Sequence, residues 1–435
     1  MKKPLLLLIL CACWSAPCAF GQACINSKPL VCQLPLTSAY LTPFGASYSQ
    51  DFLAQAEKIS SSINAALGAQ LTQLPVPSAT VGTISILDNG SITPEAFNSL
   101  GPILIDRPGT VGIGHFYTGF SFQHFNFTAV DGVDLGNFPL ALSVMSSQGP
   151  PGKLISLDLS VGNTNKVRMR INQSVGAVTY GINSKTDLFF VVPVNSVSIS
   201  VTTSDIQGYE YFPSTGKYYN FDLPGLKAST TGSANGVGDI TVGLKRLIVG
   251  LNSRLAVASG ASVRFPSGDA LNFLGSGAWG GNLYGLFEYR SRRGVAPHLK
   301  MGYQCNGDSQ LMNIQKPPSI RLPGGLQYDA GADYSIVRTW TVAADVQGSQ
   351  LSNTPTIAWA SAPSAVSSRF SSLVPSNSST FTTVGLSAGL KYSPKKHLSI
   401  YGNVLLQIRD VGLRSDPVPL FGIAYNFRTK RSPPE

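Results

Sequence analysis

The chain has four histidines, His115, His124, His298 and His397, and acid–base or metal chemistry near neutral pH would have to be built around them. None stands beside a serine in the G-x-S-x-G turn that exposes a hydrolase nucleophile, and Gly275-Ser276-Gly277 reads as a loop turn. The glycine-rich run from Gly275 to Gly285 is not followed by the Gly-Lys-Ser/Thr of a phosphate loop. Asp329 and Asp333 are an even number of residues apart, so on a strand they share a face and could hold a cation, although basic neighbours are the simpler partners. Of six cysteines, Cys11, Cys13 and Cys18 fall in a leader-like start, Cys24 and Cys32 can close a small loop in an oxidising compartment, and Cys305 is left single. The spacing fits no zinc site. These residues predict no enzyme, no metal and no cofactor.

The charged residues are informative in another way. They make up only 12% of the chain, against ~25% in ordinary soluble domains, and they recur on alternate positions. In Gly236 to Asp269, Ile240, Val242 and Leu244 alternate with Asp239, Thr241, Gly243 and Lys245. After Asn252-Ser253, Leu255, Val257, Val263 and Phe265 alternate with Arg254, Ala256, Ser262 and Arg264. A period of two is a strand with one apolar and one polar face, and Asn-Ser suits a hairpin turn. Each arm exceeds the mean strand and matches the roughly 9–11 residues that cross a bilayer at a tilt.

The same hairpin repeats. Twelve strands are expected: Gly112–Thr128, Val167–Tyr180, Thr186–Val201, Gly236–Val249, Arg254–Pro266, Gly280–Arg290, Val295–Gln304, Gly325–Ser335, Thr339–Gln347, Phe381–Tyr392, His397–Arg409 and Val418–Phe427. Connections of a few residues alternate with long ones throughout, the rhythm of periplasmic turns and outer loops. The expected fold is therefore an all-β, antiparallel transmembrane barrel of twelve strands, with an N-terminal α-helical segment. Fourteen strands is the alternative, if Leu154–Val161 and Thr83–Leu87 join the wall; otherwise Leu154–Val161 belongs to a hairpin of an outer loop. The polar parity would face a wet lumen. It carries Arg168, Arg170, Asp239, Lys245, Arg264, Tyr284, Glu288, His298, Lys300, Asp329, Asp333, Lys391 and Arg409, and its basic excess implies a mild preference for anions. Tyr289, Tyr303, Tyr334, Trp340 and Tyr392 near strand ends suit interfacial girdles.

Outside the barrel, Lys2-Lys3, an apolar run and small residues to Ala23 predict a secretory leader over 1–23. Lipidation of Cys24 is the alternative to a disulfide with Cys32. Residues 24–108 form a periplasmic or plug segment, with a helix at 49–74 where Phe52, Ala56, Ile59, Ile63 and Leu67 recur at helical spacing. The barrel occupies 109–427, and 428–435 is a polar tail. The formal charge of +10 is spread without a dense run, so nucleic acid is excluded as a partner. Lipid of the bacterial outer membrane, small solutes and the barrel-assembly machinery are the expected partners.

LGPILIDRPGTVGIGHFYTGFSFQHFNFTAVDGVDL (Leu100 to Leu135), TYGINSKTDLFFVVPV (Thr179 to Val194), GVGDITVGLK (Gly236 to Lys245) and RFPSGDALNFLGSGAWG (Arg264 to Gly280) stand in order along the chain. Together they resemble a family of bacterial outer-membrane barrels named for a meta-pathway of phenol degradation, related to channels for fatty acids and aromatic hydrocarbons. The resemblance runs from about Ser78 to Phe427. It implies a barrel for passive uptake of small solutes, hydrophobic or aromatic compounds among them, and supplies no ligand-binding motif. The alternative function is a structural or surface-binding barrel that acts through its long outer loops.

Overall fold

The computed structural model describes residues 29–34, 37, 64, 103–148, 155–212, 215–250, 254–289, 291, 294–309, 311, 320–337, 339–361, 371–395, 397–409 and 411–428. The expected leader, Cys24, nearly all of the helix at 49–74, the strand at 83–87 and the tail beyond Arg428 lie outside the described residues.

Twelve strands close into an antiparallel barrel. They are β1 (His115–Val130), β2 (Ile155–Asn183), β3 (Thr186–Phe212), β4 (Ile240–Val249), β5 (Leu255–Phe265), β6 (Gly280–Tyr289), β7 (Val295–Asn306), β8 (Gly324–Val337), β9 (Trp340–Ser361), β10 (Ser371–Lys395), β11 (Leu398–Gln407) and β12 (Val418–Arg428). Each pairs with its neighbours in sequence, and β12 pairs back onto β1 from His115↔Arg428 to Gln123↔Leu420, so no edge remains. The strand Ala228–Val237 continues β4 outward, and both pair with β3. Residues 155–165 of β2 pair with the strand Phe138–Gln148, so this stretch belongs to an outer hairpin and adds no wall strand.

The period-two pattern becomes two environments because strand side chains alternate across the wall. Phe120, Phe190, Leu244, Leu283, Leu299, Val342, Leu390, Ile400 and Phe421 stand exposed on the outside, with Leu283 67% and Phe421 62% exposed. In water such a continuous apolar band would be unfavourable; in lipid it is the required surface. At the rim of the tight turns, Trp340 stacks on Tyr392 with centroids 4.4 Å apart and Phe116 on Phe427 at 5.5 Å, forming an aromatic girdle.

Strand length exceeds what the bilayer needs. β2 and β3 run for 29 and 27 residues, against the roughly 9–11 that span. Their outer halves stand beyond the membrane. There the inner face is apolar: Phe125, Phe127, Met169, Ile171, Val197, Ile199 and Val201 form one buried cluster with Leu413 and Val418. The outer face is polar, and Arg168 and Arg170 lie on it, exposed to the outside. This corrects their expected lumen position. Above the lipid edge water bathes the exterior, so the rule of polar inside and apolar outside inverts.

Candidate functional site

The lumen is divided into three levels. The lowest is a floor made by residues 103–114, which cross the barrel before β1 begins. Gly114 donates its N–H to Gly181 O (3.0 Å), and Thr110 Oγ1 donates to Ser184 O (2.8 Å). On that side Gly181 has no room for a side chain: a Cβ there would lie 1.9 Å from Gly112 O. Across the lumen Ile103 packs with Tyr117, Ala343, Tyr401, Leu420 and Ala424, and its Cδ1 lies 2.5 Å from where a Cβ on Gly389 would stand.

Charges hold the floor. Arg107 Nη2 lies 2.8 Å from Glu288 Oε1, and its Nε donates to Oε2 at 3.0 Å, a two-pronged contact between fully enclosed groups. Lys245 Nζ reaches Asp106 Oδ1 (3.2 Å), Asp187 Oδ2 (3.7 Å) and the carbonyl of Arg107 (3.0 Å). Asp187 also accepts from Val111 N. Nearby, His298 sits between two carboxylates, Nε2 2.8 Å from Asp345 and Nδ1 3.2 Å from Asp333, and Lys391 is fully buried. Of the expected lining residues, Lys245, Glu288, His298, Asp333 and Lys391 are therefore buried at the floor. Arg107, Asp106 and Asp187 complete the network and escaped the sequence reading. Arg107 lies in a quoted motif, Leu100 to Leu135, but precedes the first strand, where alternation gives no direction.

Above the floor is a cavity of about 320 Å³. Asp239, Arg264, Lys300, Asp329 and Arg409 line it, while Tyr284 is buried beneath Lys300, whose Nζ is 5.3 Å from the ring centroid. Lys300 pairs with Asp329 (3.5 Å) and Arg264 with Asp239 (3.6 Å). Most of the polar lining is uncharged. On β1 to β3, Gln123 donates to Gln173, Gln173 to Asn195 (3.0 Å), and Asn195 to Leu274 O (2.7 Å). On β6 to β8, Asn282 donates to Gln327 (2.9 Å), Gln327 to Gln304, and Gln304 to Asn306 (3.2 Å). These amides are neutral, so the pattern of charge along the strands does not mark them. The rest of the lining includes apolar residues, Phe125, Phe127, Leu274, Leu405 and Val418, and Phe125 and Phe127 follow Gln123 on the same face of β1.

The connection 266–279 turns inward to form the cavity's upper lip. Asp239 anchors it, accepting from Gly268 N (3.2 Å), Ser276 N (2.8 Å) and the Ser276 hydroxyl. Gly275 packs so closely that a Cβ would lie 2.2 Å from Asp239 Oδ1. The segments GVGD and RFPSGDALNFLGSGAWG thus form one latch. Higher still, residues 29–34 lie against the inner wall. Leu30, Val31, Cys32 and Leu34 join the apolar cluster, Leu30 N donates to Asn272 Oδ1 (3.1 Å), and Gln33 accepts from Thr230. Gly232 makes room for them, since a Cβ there would be 2.6 Å from Leu30 Cδ2. Cys32 is disulfide-bonded to a partner outside the described residues, and Cys305, which is in no disulfide, donates from Sγ to Gly281 O (3.6 Å). Among the described residues no three metal-ligating side chains converge, and no helix is long and apolar enough to cross a membrane.

The family described as "Putative MetA-pathway of phenol degradation" matches residues 156–410, from the outer hairpin to the end of β11. The chain belongs to this family. No curated protein matches it. Among solved structures it is similar to an outer membrane channel from Pseudomonas putida F1 (10% identity, TM-score 0.39, covering 73% of this chain and 97% of that one). It is also similar to a Pseudomonas aeruginosa FadL homologue (10% identity, TM-score 0.32, 81% and 98%) and to the CymD monoaromatic hydrocarbon channel (12% identity, TM-score 0.31, 74% and 91%). This member of the phenol-degradation family is a closed twelve-stranded β-barrel with an apolar outer band.

Proposed function

We propose that this barrel takes up small, partly apolar solutes, phenolic compounds among them, by binding them in the mid-barrel cavity and releasing them past the floor. The cavity carries the reading. It joins apolar side chains (Phe125, Phe127, Leu405, Val418) to amides (Gln173, Gln304, Gln327) in about 320 Å³, room for one aromatic ring and its substituents. The apolar side chains favour the ring, the amides offer donors and acceptors to a hydroxyl, and Arg264, Lys300 and Arg409 offer charge to a carboxylate. Passive passage requires residues 103–111 to move, because they cross the section at the floor and are tied to its wall. The barrel acts as a conduit and not as an enzyme. Folding into the membrane calls on the barrel-assembly machinery.

Calorimetric titration of the purified barrel in detergent with phenol and with benzoate tests this. Saturable binding that Leu405→Arg abolishes is the expected result. Absence of binding, together with unchanged uptake of either compound when the protein is deleted from the cell, would refute it. That outcome would favour function in the outer hairpins, whose wall strands β9 and β10 run for 22 and 25 residues, far beyond the span.

A further inference from the structure

The exterior of β2 carries a feature that solute uptake does not use. Lys166, Arg168 and Arg170 are all exposed and occupy alternate positions, so the three cations form a column on the outer face. The adjacent outward positions are neutral: Ser198, Ser200 and Thr202 on β3, paired opposite Arg170, Arg168 and Lys166, and Asn126 on β1, opposite Arg170. Two carboxylates lie nearby. Asp416 is engaged by Asn126 Nδ2 at 2.6 Å, and Asp205 by the Ser204 hydroxyl at 2.8 Å. Arg170 Nε is 3.4 Å from Asn126 Oδ1, a contact that leaves the rest of its fork open to the outside.

The height of this column is fixed by register. The apolar band ends where Phe122 and Val194 both pair with Ser174. Arg170 is four residues further along β2, about 14 Å at ~3.4 Å per residue, or roughly 10 Å in height for a strand tilted 35–45°. That is the headgroup layer of the outer leaflet, and Arg168 and Lys166 continue above it. A guanidinium fork matches phosphate geometry, and three cations against the two carboxylates of Asp416 and Asp205 leave a local excess of positive charge that attracts anions.

We propose that Lys166, Arg168 and Arg170 bind the phosphate groups of the outer-leaflet glycolipid, lipopolysaccharide, on the outside of the barrel. The column spans about 14 Å, enough to meet phosphates at more than one depth of that headgroup. The acyl chains of the same molecule would lie on the band below, against Phe120, Phe122 and Val178, all exposed.

Native mass spectrometry of the barrel with rough lipopolysaccharide, with its enzymatically dephosphorylated form and with phosphatidylglycerol tests the assignment. The wild type is expected to bind the phosphorylated glycolipid at least tenfold more tightly than the dephosphorylated form. The triple variant K166S/R168S/R170S should lose that preference while keeping its heat-modifiable migration on gels, the mark of a folded barrel. R168K, which keeps the charge, should retain most of it. Equal binding of the dephosphorylated form, an unchanged preference in the triple variant, or tighter binding of phosphatidylglycerol would each overturn the proposal. If the triple variant does not fold, the single variants R168S and R170S carry the test, each expected to lower the preference.

Discussion

The inner halves of β2 and β3, within the membrane, and their outer halves, above it, are made of the same strands but obey opposite rules. Within the membrane the exterior is Val178, Phe190 and Val192, and the interior mixes Thr179 and Asp187 with Val175, Ala177, Phe189 and Val191. Above it the exterior is Arg168, Arg170, Ser198 and Ser200, and the interior is Met169, Ile171, Val197 and Ile199. The medium outside decides which face is greasy, and the inside takes what remains. In the membrane the inside carries buried charge among apolar side chains and is closed by a segment that brings compensating charge. Above the membrane it can be an apolar core like that of a soluble sandwich, and it is closed by apolar residues 29–34. The cavity lies at the junction, which is why its lining mixes amide and hydrocarbon.

Substitutions at the two levels should separate these closures. Arg107→Ala is expected to have the largest effect. It strands Glu288 as an enclosed charge, a loss of about 3–5 kcal/mol, read as a lower midpoint of urea unfolding in detergent. The double variant R107A/E288A should recover part of that loss, and no recovery would mean that packing, not charge, secures the floor. Phe127→Ala removes a ring that is 5% exposed in the outer cluster and stacked near Phe125. A cost of roughly 3 kcal/mol is expected, and a near-neutral result would show that the outer chamber is not a packed core.

Gly275→Ala tests the lip between the levels. The added methyl meets the Asp239 carboxylate, so a loss of about 1–3 kcal/mol should accompany altered solute binding in the same titration. Unchanged binding would separate the lip from the cavity. Phe421→Ala should have the smallest effect. This side chain faces lipid that is itself as apolar as the ring, so the change should stay within about 1 kcal/mol. A cost as large as that of Phe127→Ala would mean that Phe421 packs against protein and not against lipid.

Most of the wall was legible in the residues. A period of two and the rhythm of short and long connections depend only on local backbone geometry and on the bilayer's thickness, and the twelve strands fall where alternation places them. Asp239, Lys245 and Arg264 of the hairpin turn inward because both strands lie at membrane depth. Arg168 and Arg170 were misplaced because alternation separates two faces without saying which is inside. Only the height of a residue relative to the lipid edge decides that, and height comes from register across strands. Arg107 and the amide ladders were missed for different reasons. The first lies in irregular chain, and the second are neutral residues whose importance comes from meeting across strands.

The sequence alone determined a wall of two-faced strands, twelve or fourteen in number, because the pattern of each strand is local and the lipid requirement is the same everywhere. Tertiary structure decided what fills that wall. The floor brings together residues 106, 107, 187, 245 and 288, the lip joins 239 to 276, and the outer chamber joins residues 30–34 to strands some two hundred positions away. Such meetings depend on where an irregular segment threads through the closed barrel, and no local period records that path.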